Sequence, residues 1–185
     1  MPVKESIWSP TSDVEADAWA TAEDVLVVED VSKTYPGNDV HALDRIDFTV
    51  KEGQFASIIG ASGCGKSTIL RYFTGLQKPT SGQVHLFGKE LLPTDTIPMV
   101  FQTPSSLEWY TVLENVALPL ILKGVSKKEA HAKALEMIDI VGLSGHENKF
   151  AKAPNLSGGQ LQRVAIARSL VANPTMLMLD EPFSA

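Results

Sequence analysis

The stretch GASGCGKST, residues 60–68, constrains this chain more than any other. Its spacing is Gly60, four residues, then Gly65, Lys66 and Ser67. The apolar run QFASIIG before it reads as a buried strand. A helix is expected after it, from about Lys66 to Thr74, closed by Gly75. A glycine-rich turn between strand and helix can aim its N–H groups at an anion, and the helix N-terminus adds partial positive charge. The candidate phosphate-binding residues are Gly60, Ala61, Ser62, Gly63, Cys64, Gly65, Lys66, Ser67 and Thr68. Lys66 is placed to reach the β- and γ-phosphates of a nucleotide, and the Ser67 hydroxyl to take one Mg²⁺ position. Cys64 is the single cysteine, so no intramolecular disulfide is possible. It reads as a small loop residue.

A second stretch, MLMLDE, ends a buried strand with two carboxylates. In an open α/β sheet, ligands sit at the carboxyl ends of the strands. Asp180 is therefore a candidate Mg²⁺ ligand through water, and Glu181 a candidate to polarise an attacking water. Taken alone, the same pair reads equally well as an acidic cap on the next turn.

The rest of the chain supplies the frame. Residues 1–23 read as a polar extension, and 24–185 as one domain. VLVVEDVSKTY and HALDRIDFTV read as strands joined by a PGND turn, and GQVHLFG as a further strand. PMVFQ reads as a short strand leading into a helical insertion over about 105–155. Within the insertion, Thr111 with Glu114 and Ser126 with Glu129 each form a Ser/Thr-x-x-Glu capping box. Pro119 is expected to kink or divide the first insertion helix, and Gly124 to stop it. Ala130, Ala134, Ile138 and Val141 share one face of the second. A third helix is expected from near Ser157 to about Ala172, and a last strand at TMLMLD. The fold class is α/β.

The bulk properties narrow the choices. The formal charge of −6 over 185 residues does not favour a nucleic-acid footprint. No apolar run approaches the ~20 residues that span a bilayer. The N-terminus has no apolar signal core, and the chain is expected to stay in the cytosol.

NLSGGQLQRVAIARSL has two physical readings. Ser157 and Gln160 make a Ser-x-x-Gln capping box, with glycines that permit close packing. The same bare helix start is also an anion site. A second anion site beside a phosphate loop makes sense if it meets a phosphate held by another subunit.

GASGCGKST, VFQ, LSGGQ followed by LQRVAIAR, and MLMLDEP stand in the order and spacing of ABC-transporter ATP-binding subunits. The resemblance runs from about Val25 to Ala185. It implies a phosphate-loop NTPase core with a mostly parallel sheet, an antiparallel β lobe and an inserted helical lobe. It implies ATP and Mg²⁺ as ligands. Tyr35 would stack on adenine, and Gln102 would touch Mg²⁺ and the attacking water. Ser157, Gly158, Gly159 and Gln160 would face the γ-phosphate of a partner's ATP. The partners implied are a second ATP-binding subunit in a head-to-tail dimer, transmembrane permease subunits and, for an importer, a substrate-binding protein. The place implied is the cytoplasmic face of the membrane.

SLEWYTVLENVALPL is similar to the matching segment of the nitrate, sulfonate and taurine import group, with Trp109 and Tyr110 before TVLENV. Glu108 stands where that group usually has proline. ENVALPL also resembles the lipoprotein-release and macrolide-export group. DNA-repair and chromosome-organising ATPases share the signature, but they insert a long coiled coil, and no sustained heptads occur here. The family normally continues past DEPFSA to a switch histidine, and all four histidines (His41, His85, His131 and His146) precede the acidic pair. The expectation is a chain that stops within its domain, lacking the C-terminal part of the core. A fragment that binds nucleotide without efficient turnover is the other reading left open.

Overall fold

The computed structural model describes residues 22–35, 41–90 and 97–182. It divides into two units, Met1–Thr96 and Ile97–Ala185. The PGND turn, Ser184, Ala185 and all but two residues of the N-terminal extension lie outside the described residues.

The first unit is built on an antiparallel sheet of four strands in the order β2-β1-β3-β4. The strands are β1 (Asp24–Thr34), β2 (His41–Lys51), β3 (Ser81–Leu86) and β4 (Lys89–Glu90). Val28 faces Phe48 on one side and Val84 on the other. Leu26 and Val28 alternate into the core, as period-2 geometry requires. Between Val28 and Val31 the register slips. There Asp30 adopts a left-handed φ of 48°, and its N–H donates to Asp47 Oδ1 at 2.8 Å. Gly82 lies against this bulge, and a Cβ on it would overlap the Asp30 carbonyl oxygen. Helix α1 (Lys66–Phe73) buries Ile69, Tyr72 and Phe73. Phe73 meets Phe48 edge to face at 5.3 Å.

The expected strand at QFASIIG is not formed. Residues 54–60 join neither sheet among the described residues. Phe55 is 84% exposed and Ile59 91%. A run of apolar residues reports what side chains prefer, whereas a strand also needs a neighbour to complete its ladder.

The second unit holds β5 (Met99–Val100), α2 (Val112–Leu122), α3 (Lys127–Ile140), α4 (Gly158–Leu170) and β6 (Met178–Leu179). β5 and β6 pair in parallel, Met99 with Met178 and Val100 with Leu179. The last strand is thus shorter than TMLMLD. The three helices pack around Val112, Val116, Ala134, Ile138, Val164 and Ala167, all fully buried. Alanine at 130, 134 and 167 lets the helix backbones approach closely.

Two local expectations need correction. Pro119 does not divide α2, which runs continuously from Val112 to Leu122. Val116, Ala117 and Leu120 are buried on both sides of the proline, so core packing outweighs one lost backbone bond. At α3, Ser126 Oγ accepts from the Glu129 N–H, but the reciprocal bond of a full capping box is not among its contacts. The Glu129 carboxylate turns instead to Lys133, one helical turn on, at 3.1 Å. The boxes at Thr111 and Ser157 are complete.

Candidate active site

In the first unit the phosphate-loop residues form a turn that enters α1. Gly65 is the helix N-cap, with φ of 104° and no side-chain cap bond. A Cβ there would press on Ala42 O at 2.7 Å and Leu43 Cδ2 at 2.8 Å. Only glycine fits the conformation and the space together. Gly63 also has a left-handed φ of 78°, and the space a Cβ would take is open. Lys66 Nζ donates to the Gly60 and Ala61 carbonyl oxygens, each at 3.0 Å. This holds the ammonium over its own loop, where a nucleotide's phosphates can take it over. Ser67 and Thr68 follow in the first turn of α1.

Tyr35 stands just beyond β1 and is 38% exposed. Lys33 Nζ lies 5.3 Å from its ring centre and 5.9 Å from that of Tyr72. One face of Tyr35 therefore carries a cation–π contact. Burial, reinforced by the charge of Tyr35, pushes the Tyr72 hydroxyl up to about 12.

In the second unit the parallel register of β5 and β6 sets the site. Asp180 N–H donates to Val100 O at 2.9 Å, continuing the ladder. Asp180 is 8% exposed. Glu181 follows with a left-handed φ of 46°, uncommon for a residue with a side chain. Gln102 Nε2 donates to Glu181 Oε2 at 3.0 Å. Each of these two residues lies two positions past the last paired residues, Val100 and Leu179.

At the start of α4, Ser157 Oγ accepts from the Gln160 N–H at 3.3 Å. Gln160 Oε1 accepts from the Ser157 N–H at 2.9 Å. Cβ atoms on Gly158 and Gly159 would meet nothing within 4 Å. The helix start therefore presents bare backbone to its surroundings, and the capping box is complete.

Several supporting residues were not foreseen from the sequence. Gln162, nearly buried, donates to Phe101 O at 3.2 Å. Arg168 donates to Ser105 Oγ at 2.8 Å. Helix α4 thus holds the chain on both sides of Gln102. Burial lowers the Arg168 pKa from its usual value. Asn115, fully buried, donates to the Leu107, Tyr110 and Thr111 carbonyls and accepts from the Leu107 N–H. That cluster fixes the turn carrying Trp109. Gln160 also reaches His146. The one sequence signal for this set is the polar positions inside otherwise apolar helices, where an unpaired polar group would be unfavourable.

Taken unit by unit, the chemistry suits a magnesium nucleotide. In the first, the glycine loop with Lys66 suits phosphates and the Ser67 hydroxyl is a hard oxygen donor. In the second, the Gln102 amide and the Asp180 carboxylate are hard oxygen donors.

Comparison with known proteins gives the setting. A protein-family model described as ABC transporter matches residues 43–184. The bicarbonate transport ATP-binding protein CmpC of Synechococcus elongatus is 46% identical over 166 residues, 86% of this chain and 25% of its own length. The taurine import ATP-binding protein TauB of Rhizobium johnstonii is 45% identical over 150 residues, 80% of this chain and 56% of its own. The chain thus spans less than two thirds of either relative. Among solved structures, an ATP-binding cassette described as a dimeric post-hydrolysis state bound to ADP and Pi is 38% identical. Its TM-score is 0.78, and the match covers 86% of this chain and 75% of that one. The fold is that of the ATP-binding cassettes, a phosphate-loop NTPase fold.

Proposed function

The chain belongs to the ABC transporter family, and from that premise we propose that it is an ATP-hydrolysing subunit that powers transport across a membrane. The observation that carries this reading is the Gln102–Glu181 hydrogen bond at 3.0 Å. It sets a water-orienting amide against a carboxylate able to accept the water's proton, the pairing that phosphoryl transfer to water needs.

The other residues take roles that follow from their chemistry. Tyr35 stacks on adenine. The loop from Gly60 to Thr68 wraps the phosphates, and Lys66 exchanges its two carbonyl acceptors for phosphate oxygens. Ser67, Gln102 and Asp180 hold Mg²⁺. When bound, Mg²⁺ would supply positive charge against the negative charge that develops on the phosphate. Ser157, Gly158, Gly159 and Gln160 take the γ-phosphate of a nucleotide held by a second copy. Two copies related by a two-fold axis complete two such sites. ATP favours the closed pair through its differential affinity for that state, and hydrolysis releases it.

The same reading places the chain on the cytoplasmic face of a membrane, against permease subunits. No helix among the described residues is long and apolar enough to cross a membrane. The transported molecule belongs to the class of small anions handled by nitrate, sulfonate and taurine importers, and a substrate-binding protein completes the system. The supports are the Trp109–Tyr110 segment, with Trp109 69% exposed, and the taurine and bicarbonate relatives.

The test is phosphate release by the protein with Mg-ATP, beside Lys66→Ala. In the full-length protein the unsubstituted form should turn over, and the variant should lose both turnover and nucleotide affinity. A variant that hydrolyses at the parent rate would sink the assignment. For the substrate, uptake of labelled taurine, nitrate and bicarbonate by cells with and without the gene separates the anion reading from an export role.

A further inference from the structure

The carboxamide of Gln160 is engaged at both ends. Oε1 accepts from the Ser157 backbone N–H at 2.9 Å. Nε2 lies 2.9 Å from His146 Nε2. The orientations are forced by chemistry. A backbone N–H can only donate, so the amide oxygen must face Ser157 and the amide nitrogen must face the imidazole. The amide nitrogen in turn can only donate. His146 Nε2 must therefore present its lone pair, and the ring proton must sit on Nδ1. Nδ1 is buried and has no hydrogen-bond partner among the described residues.

His146 is itself held in place. Its N–H donates to Leu143 O at 3.0 Å, and its carbonyl accepts from the Lys149 N–H at 3.0 Å. The residues after it tie to the start of α2, through Leu113 N–H to Glu147 O at 3.0 Å and Val112 N–H to Lys149 O at 2.9 Å. The loop between α3 and α4 is thus clamped to α2 at the point where it touches Gln160.

We propose that His146 is a positioning residue for the start of α4: its lone pair selects the amide orientation of Gln160 that closes the capping box. Without an acceptor there, Gln160 can turn its nitrogen toward Ser157, two donors meet, and the box opens. The Ser157–Gln160 segment would then lose the single arrangement in which it can meet a triphosphate. The inference rests on the reading of that segment as the site for a second copy's nucleotide.

The experiment uses the full chain in a Glu181→Gln background, which removes the general base and lets the ATP-held pair accumulate. Association with ATP is measured by sedimentation velocity, and nucleotide affinity of the single copy by a fluorescent ATP analogue. His146→Leu should weaken association by about three- to tenfold, the worth of one neutral hydrogen bond, with single-copy affinity unchanged. His146→Gln, which keeps an acceptor, should associate like the background. Independently of any variant's folding, ¹⁵N spectra of histidine-labelled protein at neutral pH should show His146 protonated on Nδ1 and bare on Nε2. A proton found on Nε2, parent-like association in His146→Leu, or equal loss in the Leu and Gln variants would each overturn the inference. Gly158→Asp in the same background separates the two levels. If it associates normally, the partner-nucleotide reading itself falls, and the role of His146 in it falls too. If it blocks association, that reading stands and the His146 variants decide.

Discussion

Gln102 Nε2 donates to Glu181 Oε2 at 3.0 Å across a separation of 79 residues. The contact exists because β5 and β6 run parallel in a register that sets their ends side by side. It gives Glu181 a fixed orientation, reinforced by the left-handed backbone at that residue.

From this follows the expectation for Glu181→Gln. The shape of the pair survives, while the carboxylate proposed to accept the water's proton is gone. Hydrolysis should fall on the order of 10²–10⁴-fold, and nucleotide binding should persist. Phosphate release beside analogue titration measures both. A variant that keeps its turnover would assign the base elsewhere.

Ser157→Ala and Gly158→Asp separate the two readings of the start of α4. The first removes the cap oxygen that accepts from the Gln160 N–H and should destabilise the protein by about 1 kcal/mol. The second extends a carboxylate into the open space beside Gly158, where it would repel a phosphate. Thermal unfolding should register the first, and loss of ATP-dependent association the second. Normal association of Gly158→Asp would leave the cap as the only role.

Glu114 makes stability depend on pH. The Thr111 backbone N–H, then the Thr111 hydroxyl, hold its carboxyl below the usual glutamate value against a weaker opposing effect of burial. Both donors lie at 2.9 Å. A depressed folded value means the contribution is complete above the unfolded value, about 4.3, and is lost as pH falls through the folded one. Unfolding temperature should therefore drop on acidification below that range. Glu114→Gln should flatten the drop, and an unchanged slope would remove this carboxyl from the account.

The helical core makes a stability prediction. Ile138 is fully buried among α2, α3 and α4. Ile138→Ala leaves a cavity that neighbouring alanines cannot fill, and should destabilise by about 2–5 kcal/mol. Urea unfolding of the parent and variant checks this, and a loss under 1 kcal/mol would mean that the core collapses around the gap.

What could be read in the sequence alone is local. The Thr111 and Ser157 boxes are complete in the structure, and Ala130, Ala134 and Ile138 on α3 are buried as spaced, while Val141 is the C-cap and only partly buried. Each depends on contacts three or four residues apart, which sequence spacing specifies directly. The conformation of Gly65 belongs with them, since its turn into α1 is made by consecutive residues. Tertiary structure decided the rest. It withheld a sheet partner from residues 54–60, carried α2 through Pro119 and turned Glu129 away from its box. It also brought Gln102 to Glu181, and Gln162 and Arg168 to the chain on either side of Gln102. The lone pair of His146 reached Gln160 in the same way. These contacts join residues from different elements, and which ones meet is set by strand register and helix packing, quantities that no run of neighbouring residues contains.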